Sequence, residues 1–174
     1  WGHDPDYTIE IARTRRNPRY LEGVVIPPSV RISAQAADVL GGADVVLVAV
    51  PTQHIRTALE AMAVMLPAVP LVSLAKGLEQ GTGKRPSEVI AEVAHRTLVL
   101  ALSGPSHGEE LALGQPTAVA LAGTQEDVVV RLQDQLGTPT LRIYRNRDLL
   151  GTELCGALKN VIAMAAGIAD GLGF

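Results

Sequence analysis

The stretch ADVVLVAVP, residues 43–51, limits the fold more than any other part of the chain. From Val45 to Val50 it contains no polar residue, so neither face of the strand it forms suits water. Pro51 cannot continue a hydrogen-bonded ladder and ends the strand. A strand of this kind belongs in the middle of a parallel sheet covered on both sides. The flanking sequence supplies the cover. Residues 52–66 show helical spacing through Ile55, Leu59, Met62 and Leu66, and Pro67 and Pro70 close them. Strands are predicted at 70–75, 97–103, 117–123 and 140–146, alternating with helices at 86–95, 106–113 and 125–136. A long helix begins at about Asp148. Nearer the N-terminus, Asp4 can cap a helix over 6–15 with Pro5 at its first position. Residues 17–30, with three prolines and a glycine, read as a loop, and 33–40 as a short helix. The alternation predicts an α/β fold: a mostly parallel sheet with helices on both faces.

Composition narrows the function classes. Fifteen Lys and Arg against 18 Asp and Glu leave a formal charge of −3, which gives no general attraction to nucleic acid or anionic membranes. The single cysteine, Cys155, excludes an internal disulfide framework and a thiolate metal cluster, and a reducing cytoplasm is expected. The opening WGHDPDYTIE is polar and acidic, unlike a secretory leader. Lys159 and Asp170 interrupt the most apolar stretch, 154–174, and no membrane span is expected there. No metal-ligand spacing, P-loop, GxSxG elbow or GxGxxG turn is present.

Ligands of open α/β sheets collect at the carboxyl ends of the strands. Those ends are Ala49–Gln53, Ala75–Glu79 and Ser103–His107. Lys76, just off a buried strand and before Gly77, reads either as a solvent-facing lysine or as a fixed point charge for a phosphate or carboxylate. In SGPSHGEE, small residues running into a helix can offer free backbone N–H groups to an anion. Equally, Ser106 can cap that helix with Glu109 closing a capping box. Spacing leaves both readings open, and places His107 at the helix start. His3 reads as a nucleotide contact or as a plain strand-end residue.

Lys159 stands in the long C-terminal helix among almost uncharged neighbours. At 100° per residue it shares a face with Cys155, Gly156, Ala163 and Ala166, all small. Asp170 is about 16 Å along the helix, too far for an ion pair. Either the lysine sits on a wet stripe, or it faces a cleft and serves as acid or base.

WGHDP, VAVPTQ, SLAKGLEQGTG, LSGPSHGEELALGQPTAVALA and GTELCGALKNVIAMAAGIADGLGF, in this order, resemble bacterial NAD(P)-dependent glycerol-3-phosphate dehydrogenases over essentially the whole chain. The resemblance implies reversible reduction of dihydroxyacetone phosphate to sn-glycerol 3-phosphate with NADPH or NADH, feeding phospholipid synthesis. It implies a Rossmann-like domain over 1–147 and the first helix of an all-helical C-terminal domain over 148–174. It makes Lys159 the proton acceptor for glycerol 3-phosphate oxidation. Lys76, Gly104, Ser106 and Lys159 would bind substrate; His3, Pro51, Lys76 and Gly108 would meet the cofactor. Gly108 replaces the family's common alanine, and His107 stands where an aromatic is usual. The family's first strand and glycine-rich turn would precede Trp1, and its remaining substrate contacts would follow Phe174. The chain is therefore expected to be an internal piece, nearly inactive alone, with a sticky open sheet edge, and the full-length protein to be a homodimer. Two alternatives remain at this stage: a non-catalytic nucleotide-binding module, and another oxidoreductase of the 6-phosphogluconate-dehydrogenase type.

Overall fold

The structure, a computed structural model, describes residues 1–96 and 98–174. Helix α1 (Pro5–Thr14) begins as expected, with the Asp4 carboxylate accepting the Tyr7 N–H at 3.1 Å and proline in the first turn. It ends at Arg15, whose φ of 57° turns the chain back. There the predicted loop gives way to an antiparallel hairpin, β1 (Arg16–Asn17) and β2 (Leu21–Val25). Pro18 sits in the turn of the hairpin and Pro27 and Pro28 follow it, so none of them interrupts the pairing. The Arg15 guanidinium then gathers the carbonyls of Ile26, Pro27 and Val30, which fixes the exit of the hairpin.

Helix α2 (Ala36–Leu40) leads into β3 (Val46–Val48) and α3 (Thr52–Glu60). The helix predicted over 52–66 stops at Glu60 and continues as a tight 3-10 turn, Ala63–Met65. Pro67 requires an extended residue before it, and Leu66 is extended. The burial pattern survives this change: Ile55, Leu59, Met62 and Leu66 are all buried. Next come β4 (Leu71–Ser73), α4 (Pro86–Ala94), β5 (Val99–Ser103) and α5 (Gly108–Ala112). They are followed by β6 (Thr117–Ala122), α6 (Glu126–Leu136), β7 (Leu141–Asn146) and α7 (Leu149–Gly171).

The main sheet has the order β3-β4-β5-β6-β7. Helices cover both faces, because alternate side chains of one strand enter different cores. Leu71 packs with Ile55, Leu59, Val89 and Ile90 under α3 and α4, while Val72 packs with Leu100, Leu121, Val129 and Leu132 under α6. Each such fully buried aliphatic side chain stabilises the fold by about 1.5–3 kcal/mol relative to exposure.

Strands β3, β4 and β5 are parallel, as predicted; β6 runs antiparallel to β5, and β7 follows β6. This reversal positions the site. Asn146 at the end of β7 is level with Ala122, which is level with Ala101 inside β5. The chain therefore leaves the sheet at mid-height. Helix α7 packs back across β5 and β6 and passes Ser103 at the carboxyl edge with its Gly156. Had β7 run with β5, the following helix would have travelled away from that edge.

Candidate functional site

A groove of about 680 Å³ lies between the start of α7 and the carboxyl end of β5. Lys159 lines it together with Cys155, Gly156, Ala163 and Ala166, the face drawn from helical spacing. Ser103, Gly104 and Pro105 form the opposite wall, and Asn146, Asp148 and Thr152 close the lower end. No hydrogen bond or ion pair among the described residues involves Lys159.

The walls approach closely because both carry glycine. A Cβ on Gly156 would lie 2.7 Å from Ser103 Oγ and 3.6 Å from Lys76 Cγ. A Cβ on Gly104 would meet Ala118 O and Val119 Cα at 3.0 Å, so only glycine fits beside β6.

Lys76 comes off β4 half-buried, its Nζ donating to Gly104 O at 2.9 Å and, more weakly, to Ser106 Oγ at 3.4 Å. An ammonium has three donors, so one remains for a ligand. Burial lowers the Lys76 pKa from its ordinary value, and the neighbouring positive charge of Lys159 lowers it further. The two ammonium groups repel each other, and an anion bound beside them relieves that repulsion.

The segment after Lys76 is held rigidly. Gly77 has a φ of 123°, in the region that favours glycine, and Thr52 Oγ1 donates to the Lys76 carbonyl. Glu79 accepts a two-pronged bond from Arg56 at 2.9 and 3.0 Å and another from Thr82. These bonds, the Arg56 pair foremost, hold its carboxyl at a pKa of about 2.

Of the two readings left open for Ser106, the capping box does not form. His107, not Ser106, precedes the five-residue α5, and it makes no side-chain cap bond. The Ser106 hydroxyl is turned toward Lys76 and the Gly104 carbonyl instead. Lys76, Gly104 and Ser106 are thus joined by direct bonds, and Lys159 and Gly104 share the groove. Pro51 is exposed at the carboxyl end of β3, as N-cap of α3. His3 and Gly108 are exposed and neither lines the groove. Around Gly108 nothing lies within 4 Å of where a side chain would begin, so its backbone is open to approach.

Sequence reasoning missed Glu153. Its carboxylate, buried with the residue only 4% exposed, accepts from Arg85 Nη1 at 2.7 Å, Ser87 N at 2.8 Å and Ser87 Oγ at 2.5 Å. A signal was available. It is one of three charges in the same apolar helix, and it lies 240° round from Lys159, off the face that Lys159 and Asp170 share.

Parallel strands with helices on both faces, and a groove bearing Lys159 at their carboxyl edge, make this a Rossmann-like ligand-binding architecture. Residues 1–129 match the family model described as NAD-dependent glycerol-3-phosphate dehydrogenase N-terminus, and residues 148–174 the model for its C-terminus. The chain belongs to the NAD-dependent glycerol-3-phosphate dehydrogenase family. It is 44% identical over 178 aligned positions to the glycerol-3-phosphate dehydrogenase (NAD(P)+) of Prosthecochloris aestuarii, covering all of this chain and 54% of that protein. The corresponding protein of Brucella canis is 43% identical with the same coverage. Among solved structures, the Coxiella burnetii glycerol-3-phosphate dehydrogenase superposes with a TM-score of 0.89 at 31% identity, over 99% of this chain and 53% of that one. The Plasmodium falciparum enzyme gives 0.86 at 26% identity, over 97% and 48%. The chain spans about half the length of the relatives it matches.

Proposed function

We propose that this chain carries the nucleotide-binding half and the catalytic lysine of an enzyme that interconverts dihydroxyacetone phosphate and sn-glycerol 3-phosphate with NAD or NADP. The observation that carries the reading is two neighbouring lysines joined through one turn: Lys159, which lines the groove and is free of any protein partner among the described residues, and Lys76, which is bonded to Gly104 on the groove's opposite wall and to Ser106. Family membership supports the same activity.

The residues present fit a dinucleotide. The exposed Pro51 and the half-buried Lys76 stand at adjacent strand ends, and the open backbone at Gly108 allows close approach. His3 is the further nucleotide contact in this reading. The cofactor, when bound, accepts or supplies the hydride. The chain does the rest. Lys76 holds the polar substrate with its free donor, and Gly104 and Ser106 shape the turn against which the substrate lies. During ketone reduction negative charge grows on the C2 oxygen, and Lys159 gives that oxygen a proton. In the reverse direction the Lys159 amine takes the proton from the C2 hydroxyl.

The same reading divides the chain at 147/148, within the short connection between β7 and α7. By length and composition α7 is apolar enough to cross a membrane, against the expectation from its charges. Its match to the C-terminal family model favours a soluble role, as the first helix of the helical domain. The exposed, unpaired Cys155 suits a reducing cytoplasm. The homodimer rests on family resemblance alone and is tested by sedimentation of the full-length protein.

The deciding experiment is reduction of dihydroxyacetone phosphate by the full-length protein, with NADH and NADPH compared. Lys159→Ala is expected to lower kcat by about 10³-fold, within the range for a lost general acid. Nucleotide binding without turnover by the unmodified protein would overturn the reading.

A further inference from the structure

Glu153 belongs to α7, yet its carboxylate is engaged away from the groove, at the start of α4. Three donors converge on it there, one of them the Arg85 guanidinium, at the positive end of a nine-residue helix. A buried charge so arranged adds little net stability over a well-packed apolar contact. What it adds is direction, since hydrogen bonds fix an angle and apolar packing does not.

That angle matters at Lys159. Six residues after Glu153, Lys159 points 240° round the helix. With Glu153 turned to α4, Lys159 is turned to the groove. The helix is seated by Thr152, which bonds Asn146, by Glu153, and by Gly156 against Ser103 and Lys76. Beyond Gly156 it is mostly exposed, so the place of Lys159 is set upstream of it. Side chains reach about 6 Å from a helix axis, so a 20° roll would move the lysine by about 2 Å. A misplacement of about 1 Å is enough to cost on the order of a hundredfold in rate. The donors on the other side, Arg85 and Ser87, close the rigid segment that begins at Lys76. One carboxylate therefore connects the two segments that bear the lysines.

We propose that Glu153 is a positioning residue: it sets the roll of α7 and so the placement of Lys159 against Lys76 and the Gly104–Ser106 turn. The kinetic consequence rests on the function proposed above. The test uses the full-length enzyme with Glu153→Gln, which keeps the shape and loses the charge, and Glu153→Asp, which keeps the charge on a shorter arm. Glu153→Gln is expected to lower kcat at least 30-fold, with KM for the nucleotide within twofold. Glu153→Asp is expected to lower kcat about tenfold, and it decides the matter if the glutamine variant does not fold. A second readout needs no turnover. The pH dependence of Lys76 labelling by an amine reagent, read by mass spectrometry, responds first to the burial of Lys76, to which Gly156 of α7 contributes, and second to the nearness of Lys159, so both causes follow the seat of the helix. In either variant the Lys76 midpoint is expected to rise toward the ordinary lysine value. Folded variants with unchanged kcat and unchanged Lys76 midpoint, even with a lower Tm, would reduce Glu153 to a structural clamp and overturn the proposal. If the unmodified enzyme does not reduce dihydroxyacetone phosphate, the functional reading fails while the Lys76 midpoint still decides the role of Glu153.

Discussion

The two ends of α7 obey different rules. Its first turns carry Thr152 and Glu153, both buried, and Gly156, pressed against Ser103. Its later turns expose Leu158, Val161, Ile162, Met164 and Ile168 to solvent. The first part packs as an element of the sheet layer, and the second leaves its apolar side chains exposed. A helix that is apolar all round is ordinarily buried all round. Here hydropathy alone does not distinguish the two parts; hydrogen bonds and close approach do.

Substitutions along α7 sharpen that contrast. The largest effect is expected from Glu153→Ala, which strips the buried Ser87 N–H and hydroxyl of their acceptor, leaves the half-buried Arg85 only Glu88, and removes about 3 kcal/mol of stability, read from urea unfolding. Gly156→Ala follows. Its new methyl would stand 2.7 Å from Ser103 Oγ, and displacing that wall is expected to cost about 1–3 kcal/mol. Gly167→Ala in the later turns meets nothing within 4 Å. In the 174-residue chain it is expected to stabilise by about 0.5–1 kcal/mol through helix propensity. Equal costs at 156 and 167 would erase the distinction.

The smallest effect is one of pH. The folded pKa of Lys76 lies below its unfolded value, so the folded state binds fewer protons in the window between the two. The destabilisation is full below the folded pKa and is relieved as pH rises through that window toward 10.5. Lys159→Ala removes the lesser of the two causes and should narrow the window without abolishing it. Urea unfolding across the alkaline range, with and without Lys159, measures this.

Much of this was legible in the sequence because periodicity reports burial. The polar-free run from Val45 gave a strand, and Ile55, Leu59, Met62 and Leu66 gave a buried stripe that outlasted the α-helix itself. The small face around Lys159 followed from the same arithmetic. What stayed hidden depends on partners distant in the chain. Thr117–Ala122 is a strand in either direction, and only its pairing with β5 shows that it is antiparallel. Ser106 satisfied a local capping rule, yet its hydroxyl went to Lys76, thirty residues away in sequence. The β1–β2 hairpin was obscured by prolines that sit outside the paired residues. Glu153 could be singled out only by asking what a charge off the Lys159 face of α7 must bond.

The contact between Glu153 and Ser87 also orders assembly in time. It joins residues 66 apart, and between them lie β5, β6 and β7. Closing a loop of that length without the sheet would cost entropy that one carboxylate does not recover. The strands are expected to pair first, and α7 to settle on them afterwards. A nascent or partly unfolded chain is thus expected to carry Lys159 on a loose helix, and this lysine to reach the groove only when the strands beneath it have paired.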